Sequence, residues 1–231
     1  MRVLILGTGT AVGKSYFAQR LIVALRTAQP GLDVVGVKVV ETGIHATSRI
    51  APPARSDARA LESVSRGTPI RPHPLVALGS PVSPHLAARR ARITLQASSL
   101  AGAVASHHDA IHGWQVVETA GGAFSPLNAS ESNLDLAGAL DPSIWVVVAP
   151  DALGVLHDVR ATITAMRSLA REPDYLVLSA ARARDASTGT NAAELPRVGL
   201  PKPAAVLARG DDGRKALAPL VRKLLAARRD D

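Results

Sequence analysis

The chain has 231 residues, within reach of one α/β unit with a sizeable core. It has no cysteine, 47% apolar and 3% aromatic residues, and no apolar run near the ~18 residues of a membrane span, which excludes disulfides, thiolate chemistry and Cys-ligated metals and predicts a soluble protein. The net charge of +8 raises the question of nucleic acid, but dispersed arginines and six aromatic rings predict a solvated basic surface that binds neither nucleic acid nor membrane.

In chain order, short β-branched runs predict strands over Val3–Leu6, Val34–Val37, Gln115–Glu118, Ile144–Ala149 and Tyr175–Ser179. Helical spacing separates them. Ser15–Arg26 carries Phe17, Leu21, Ile22 and Leu25 on one face, and further helices are expected over Asp57–Ser65, Thr94–His107, Val155–Leu169 and Arg214–Ala227. Strands alternating with helices predict βαβ units in a doubly wound, mostly parallel sheet flanked by helices, with ligands at the carboxyl ends of the strands. Thr42–Arg55 and Gly67–Pro84 are rich in Pro, Gly, Ser and His, and read as long loops suited to binding. The basic and apolar alternation after Arg209 reads as a terminal amphipathic helix with a solvated face. The first strand runs straight into glycines without the basic and long apolar regions of a signal peptide, so the expected location is cytoplasmic.

Gly7-Thr8-Gly9-Thr10-Ala11-Val12-Gly13-Lys14-Ser15 leaves a strand and opens a helix, the context of a phosphate cradle. Glycines let backbone N–H groups curl around phosphate oxygens and the helix N-terminus adds its positive end. The lysine then reaches the terminal phosphates, and Ser15 is placed to hold Mg²⁺. The expected fold is therefore a P-loop NTPase type, a single unit over residues 1–231. The first glycine sits one position earlier than in the standard motif. Partition-type P-loop ATPases carry a signature lysine four residues before the last glycine, where this chain has Gly9.

Arginine outnumbers lysine 22 to 5, and up to Pro201 only Lys14 and Lys38 are lysines, against 17 arginines. A compact ammonium suits phosphate or a small anion better than a forked guanidinium, which marks Lys38 as a second anion-binding candidate. Glu118 ends a strand and is followed by Thr119-Ala120-Gly121-Gly122, a placement that suits a Mg²⁺ ligand with room for a substrate beside the glycines. Asp57 follows Ser56 at a helix start, where capping and metal binding are equal readings. Ser83 precedes Pro84 as a helix cap would, and His107, His108 and His112 fit a helix end rather than a metal site.

Taken together these blocks resemble the dethiobiotin synthetases, an ATP-dependent family of biotin biosynthesis. The family's Gly-Thr-Asp-Thr-Glu-Val-Gly-Lys-Thr loop is similar to Gly7–Ser15, with the same offset first glycine. Its Lys-Pro-Val-x-Ser/Thr-Gly is similar to Lys38–Gly43 and its Ser-Asp to Ser56-Asp57. Its Ser-Pro-His corresponds to Ser83-Pro84-His85, and its Val-Glu-Gly-Ala-Gly-Gly to Val117–Gly122, in order over roughly residues 1 to 160.

The resemblance implies ring closure of 7,8-diaminopelargonate with CO₂ and MgATP, through a carbamate and its mixed anhydride with phosphate. It implies nucleotide binding by Gly9, Thr10, Ala11, Val12, Gly13, Lys14, Ser15 and Ser179, with Lys14, Lys38 and Thr10 in catalysis. Substrate would meet Lys38, Thr42, Ser83, Gly121 and Gly122; Mg²⁺ would meet Ser15, Asp57 and Glu118. A homodimer is also implied, with Gly154 and His157 near the partner. The chain departs from the family where Gly9 and Ala11 replace acidic residues, where Val39 replaces Pro, and where Ser179 and Ala180 replace an adenine-reading Asn. A diverged paralogue acting on another substrate and a P-loop regulatory or partitioning ATPase stand as the alternatives.

Overall fold

The structure, a computed structural model, describes residues 1–44 and 56–228. From residue 45 on, the loop expected over Thr42–Arg55 lies outside the described residues. The elements run β1 (Arg2–Gly7), α1 (Lys14–Ala28), β2 (Asp33–Lys38), β3 (Val40–Thr42), α2 (Asp57–Val64), β4 (Val76–Leu78), α3 (Pro84–Arg90) and α4 (Ala97–His108). There follow β5 (Gly113–Glu118), α5 (Asn133–Leu140), β6 (Ile144–Pro150), α6 (Val155–Ser168), β7 (Tyr175–Ser179), α7 (Asn191–Arg197), β8 (Ala205–Val206) and α8 (Arg214–Ala227).

Six strands form one sheet in the order β2-β5-β1-β6-β7-β8, and every pairing in it is parallel. Because successive strand side chains point to opposite faces, β1 sends Val3 and Ile5 to one layer and Leu4 and Leu6 to the other. The first layer is closed by α1 through Phe17, Leu21, Ile22 and Leu25, by α2 through Leu61, and by α8 through Leu217, Leu220, Val221 and Leu224. The opposite layer is closed by α3 to α7, including Leu100, Val104, Leu136, Val159, Ile163 and Leu195. The basic side chains Arg222 and Lys223 of α8 stay exposed, as an amphipathic end helix requires. Among the described residues no helix is long and apolar enough to cross a membrane.

All five expected strands are present, lengthened by at most two residues at an end, and all five expected helices are present. The region read as a loop over Gly67–Pro84 is corrected: it contains β4, which pairs in parallel with β3 as a small second sheet. That strand is only three residues long and is flanked by prolines, so it shows no alternating pattern of its own. α5 opens on a capping box, Ser132 with Asp135, but is apolar around most of its surface and so has little helical periodicity. Ser83 does precede α3 with Pro84 at its first position, yet its hydroxyl makes no cap bond and instead lies 3.1 Å from His85 Nδ1.

Gly36 sets how closely α1 and α2 sit on the sheet. A Cβ there would meet Ile22 Cδ1 at 2.7 Å and Leu61 Cβ at 2.9 Å, both from the covering helices. Gly36→Ala is expected to destabilise the protein by about 1 to 3 kcal/mol, the usual range for overpacking. Urea denaturation checks this, and an unchanged midpoint would show that the two helices are free to give way.

Candidate active site

The carboxyl ends of the central strands carry the polar groups. β1 ends at Gly7, and the loop after it is tied down where Thr8 N donates to Val148 O (3.0 Å) and Ala123 N donates to Gly7 O (2.8 Å). The loop reaches α1 through two left-handed residues, Ala11 (φ 59°) and Gly13 (φ 92°). Gly13 is the N-cap of α1, and a Cβ on it would fall 2.1 Å from Ser179 Oγ, so only glycine fits. Among the described residues no side chain caps this helix and its first turn has no acidic residue, which leaves its N-terminal N–H groups for an anion.

Lys14 is buried, and its Nζ donates to Gly9 O at 3.1 Å across the loop. Burial, with the nearby Lys38 charge, lowers its pKa to about 8, although Glu118 and Asp57 pull the other way. Lys38 and Glu118 end neighbouring strands at the same register position of the β2–β5 pair. Lys38 Nζ donates to Glu118 Oε1 at 2.6 Å and to Asp57 Oδ2 at 2.9 Å. Burial alone would lower the Lys38 pKa, but attraction and hydrogen bonds from both carboxylates outweigh it, and the amine is held charged above its ordinary range. Asp57 is opposed by its own burial, but Lys38 beside it holds its carboxyl below the usual value. Ser56 is the N-cap of α2, accepting from Arg59 N, which frees Asp57 at the first helical position to meet Lys38.

Ser15 Oγ donates to Glu118 Oε1 at 2.7 Å, while Glu118 Oε2 is buried with no hydrogen-bond partner among the described residues. An orphaned carboxylate oxygen beside a hydroxyl and a second carboxylate is a hard-oxygen donor set. It fits Mg²⁺, which takes one or two carboxylates and completes its shell with phosphate oxygens and water. Among the described residues there is no group of three or more acidic, His or Cys side chains that could hold a metal ion.

These groups line one cleft of about 500 Å³. Of the residues singled out in the sequence, Thr10, Ala11, Gly13, Lys14, Ser15, Lys38, Thr42, Asp57, Glu118 and Gly121 line it. Gly9, Val12, Gly122, Ser83 and Ser179 do not. Val12 packs into the core, Ser179 is buried with its Oγ donating to Gly13 O, and Gly122 backs the loop at Gly9. Glu41, Tyr16 and Arg182 line the cleft without having been marked by a motif. His73 is buried outside it, its Nε2 accepting from Lys38 N at 2.9 Å, and burial first of all lowers its pKa to about 4, so it is neutral at physiological pH.

A parallel sheet with a phosphate loop between β1 and α1, and an acidic strand end beside it, defines a P-loop nucleotide-binding protein. Solved structures agree with that fold. The MinC:MinD cell division complex of Aquifex aeolicus aligns with a TM-score of 0.56 at 10% identity, covering 97% of this chain and 96% of that one. MinD of Pyrococcus furiosus gives 0.54 at 16% identity, covering 97% and 98%. A family profile described as an AAA domain matches residues 1–206. The ATP-dependent dethiobiotin synthetase BioD of Anaeromyxobacter dehalogenans strain 2CP-1 is 35% identical over 206 residues, covering 87% of this chain and 86% of the relative. The protein of the same name from Anaeromyxobacter sp. strain Fw109-5 is 32% identical over 209 residues, covering 88% of each. The chain belongs to the ATP-dependent dethiobiotin synthetase family, whose members are ligases.

The low pKa of Lys14 gives a pH test. Below about 8 the free protein carries the charged amine, and above it the amine is neutral and must take up a proton to meet a triphosphate. ATP affinity should therefore fall with rising pH above about 8, approaching about tenfold per pH unit, with proton uptake on binding. Calorimetry in buffers of different ionisation enthalpy measures both, and an affinity that stays flat across that range would contradict it.

Proposed function

We propose that this chain closes the ring of 7,8-diaminopelargonate with CO₂ and ATP to give dethiobiotin, ADP and phosphate, as a step of biotin biosynthesis. The observation that carries this reading is the cleft in which the ammonium of Lys38 sits between Glu118 and Asp57, next to Lys14 and the phosphate loop. The second ammonium of this cleft ends strand β2 and is not on the phosphate loop, where partition-type ATPases carry their further lysine, and so it suits a second anion such as a carbamate.

In this reading one diamine nitrogen adds to CO₂, forming a C–N bond and losing a proton, and the resulting carbamate is anionic. A carbamate oxygen then attacks the γ-phosphorus, and the bond from that phosphorus to the β,γ-bridging oxygen breaks to release ADP. The second amine attacks the carbonyl carbon of the mixed anhydride, loses a proton and expels phosphate, which closes the ring.

Lys14 and Lys38 neutralise the anions that meet in the second step, and Thr10 and Thr42, both lining the cleft, orient them by hydrogen bonds. Gly121 admits the diamine beside the backbone with Gly122 behind it at the phosphate loop, and Ser83, which lies outside the cleft, is assigned to the substrate by the resemblance alone. Residues 9–15 with Ser179 carry the nucleotide. Ser15, Asp57 and Glu118 would hold Mg²⁺, which supplies charge neutralisation at the phosphates. One unit over residues 1–231 carries the whole reaction in the cytoplasm. The working form is a homodimer joined near Gly154 and His157, as the family resemblance implies.

Purified protein given ATP, Mg²⁺, bicarbonate and the diamine should release phosphate only when all four are present, and diamine-independent release at the same rate would overturn the assignment. Lys38→Ala is expected to lower turnover by about a hundredfold or more while ATP binding is largely kept. Loss of both together would instead place Lys38 in nucleotide binding.

A further inference from the structure

Asp57 is brought to Lys38 from an element remote in sequence, and something must hold it there. The side chain that touches its backbone is Glu41 of β3, a buried carboxylate to which the sequence assigns no chemistry. Glu41 Oε1 accepts from Asp57 N at 2.7 Å, and Oε2 accepts from Ala58 N at 3.0 Å and from Ser56 Oγ at 2.9 Å. Both oxygens are thus spent on the first turn of α2, where unpaired N–H groups and the helix dipole favour a negative charge. Glu41 also lines the cleft beside Lys38, Thr42 and Asp57. β3 follows β2 after one residue, so the strand that ends in Lys38 and the carboxylate that grips α2 belong to nearly continuous backbone.

We propose that Glu41 is a positioning residue: by gripping the first turn of α2 it sets Asp57 against the Lys38 amine and so fixes how Lys38 is shared between Asp57 and Glu118. Residue 41 is well separated along the chain from residues 57 and 58 but fixed to them by one charge-assisted backbone contact each. A glutamine at position 41 keeps the size but turns one acceptor into an NH₂ donor that faces a donor, leaving at least one first-turn N–H unpaired. The consequence for turnover rests on the dethiobiotin synthetase reading, whereas the consequence for Lys38 does not.

The test compares Glu41→Gln with Ser56→Ala. Ser56→Ala removes the hydroxyl that accepts from Arg59 N and donates to Glu41 Oε2, but leaves the two Glu41 contacts that hold Asp57 N and Ala58 N. Two readouts are followed besides thermal stability: the Lys38 side-chain signal in heteronuclear NMR of the free protein, and kcat and KM for phosphate release with ATP, Mg²⁺, bicarbonate and the diamine. The expected result is that Glu41→Gln shifts the Lys38 signal and lowers kcat by about ten- to a hundredfold, the range seen when groups supporting a site are removed. Ser56→Ala is expected to lower the melting temperature while leaving the Lys38 signal in place and kcat within about twofold. Glu41→Gln with an unmoved Lys38 signal, or both variants moving that signal equally, would overturn the proposal, because the carboxylate would then act only through helix stability. If Glu41→Gln fails to fold, Glu41→Ala and Asp57→Asn are compared for the same shift, and unlike shifts in a folded pair overturn it. Should the wild type turn over no diamine, the functional reading falls, and the Lys38 signal still decides the role of Glu41.

Discussion

The site depends on one buried ammonium held between two carboxylates. Lys38 is almost fully buried and Glu118 fully so, while the Asp57 side chain is 43% exposed at the mouth. Taking such charges out of water is costly, and the mutual attraction offsets it only because the geometry is tight and parallel register brings Lys38 and Glu118 together without any loop having to find its place. Lys14, Lys38, Asp57 and Glu118 carry formal charges that cancel, so together they bring no net charge to the cleft. In the proposed reaction an anionic substrate would meet two ammonium groups whose partners are a backbone carbonyl and carboxylates of the kind that a divalent cation also satisfies.

Arrangement of this kind explains why the chain, which otherwise uses arginine for most cations, has lysine at these two positions. A guanidinium is planar and forked, and the space between Glu118 Oε1 and Asp57 Oδ2 is spanned by a single nitrogen at 2.6 and 2.9 Å. The acidic residues that the family's phosphate loop carries are here Gly9 and Ala11, and Ala11 takes a left-handed conformation without a glycine. The loop's shape is kept by backbone bonds to Val148 and Ala123, so its curvature does not rest on those acidic side chains.

Much of this was legible in the residues. Runs such as Val3–Leu6 and Ile144–Ala149 are buried on both faces of a parallel sheet and so stand out, and Gly13-Lys14-Ser15 announces the loop because few other structures need that sequence after a strand. The convergence of Lys38, Asp57 and Glu118 was expected by resemblance, and the geometry supplies the physical reason. What stayed hidden works through the backbone. Glu41 binds main-chain N–H groups, and His73 accepts from Lys38 N, so neither leaves a side-chain pattern in the sequence. Arg182 reaches the cleft only because β7 ends there, and β8 is too short, two residues, to show a period.

The most direct measurement follows the oxygen that joins the two halves of the reaction. If a carbamate oxygen attacks the γ-phosphorus in this cleft, bicarbonate labelled with heavy oxygen will transfer one labelled oxygen to each phosphate released, detected by the isotope shift in phosphorus NMR. Phosphate released at the full rate with no label from bicarbonate would contradict the account, because the lysine pair would then be serving hydrolysis by water.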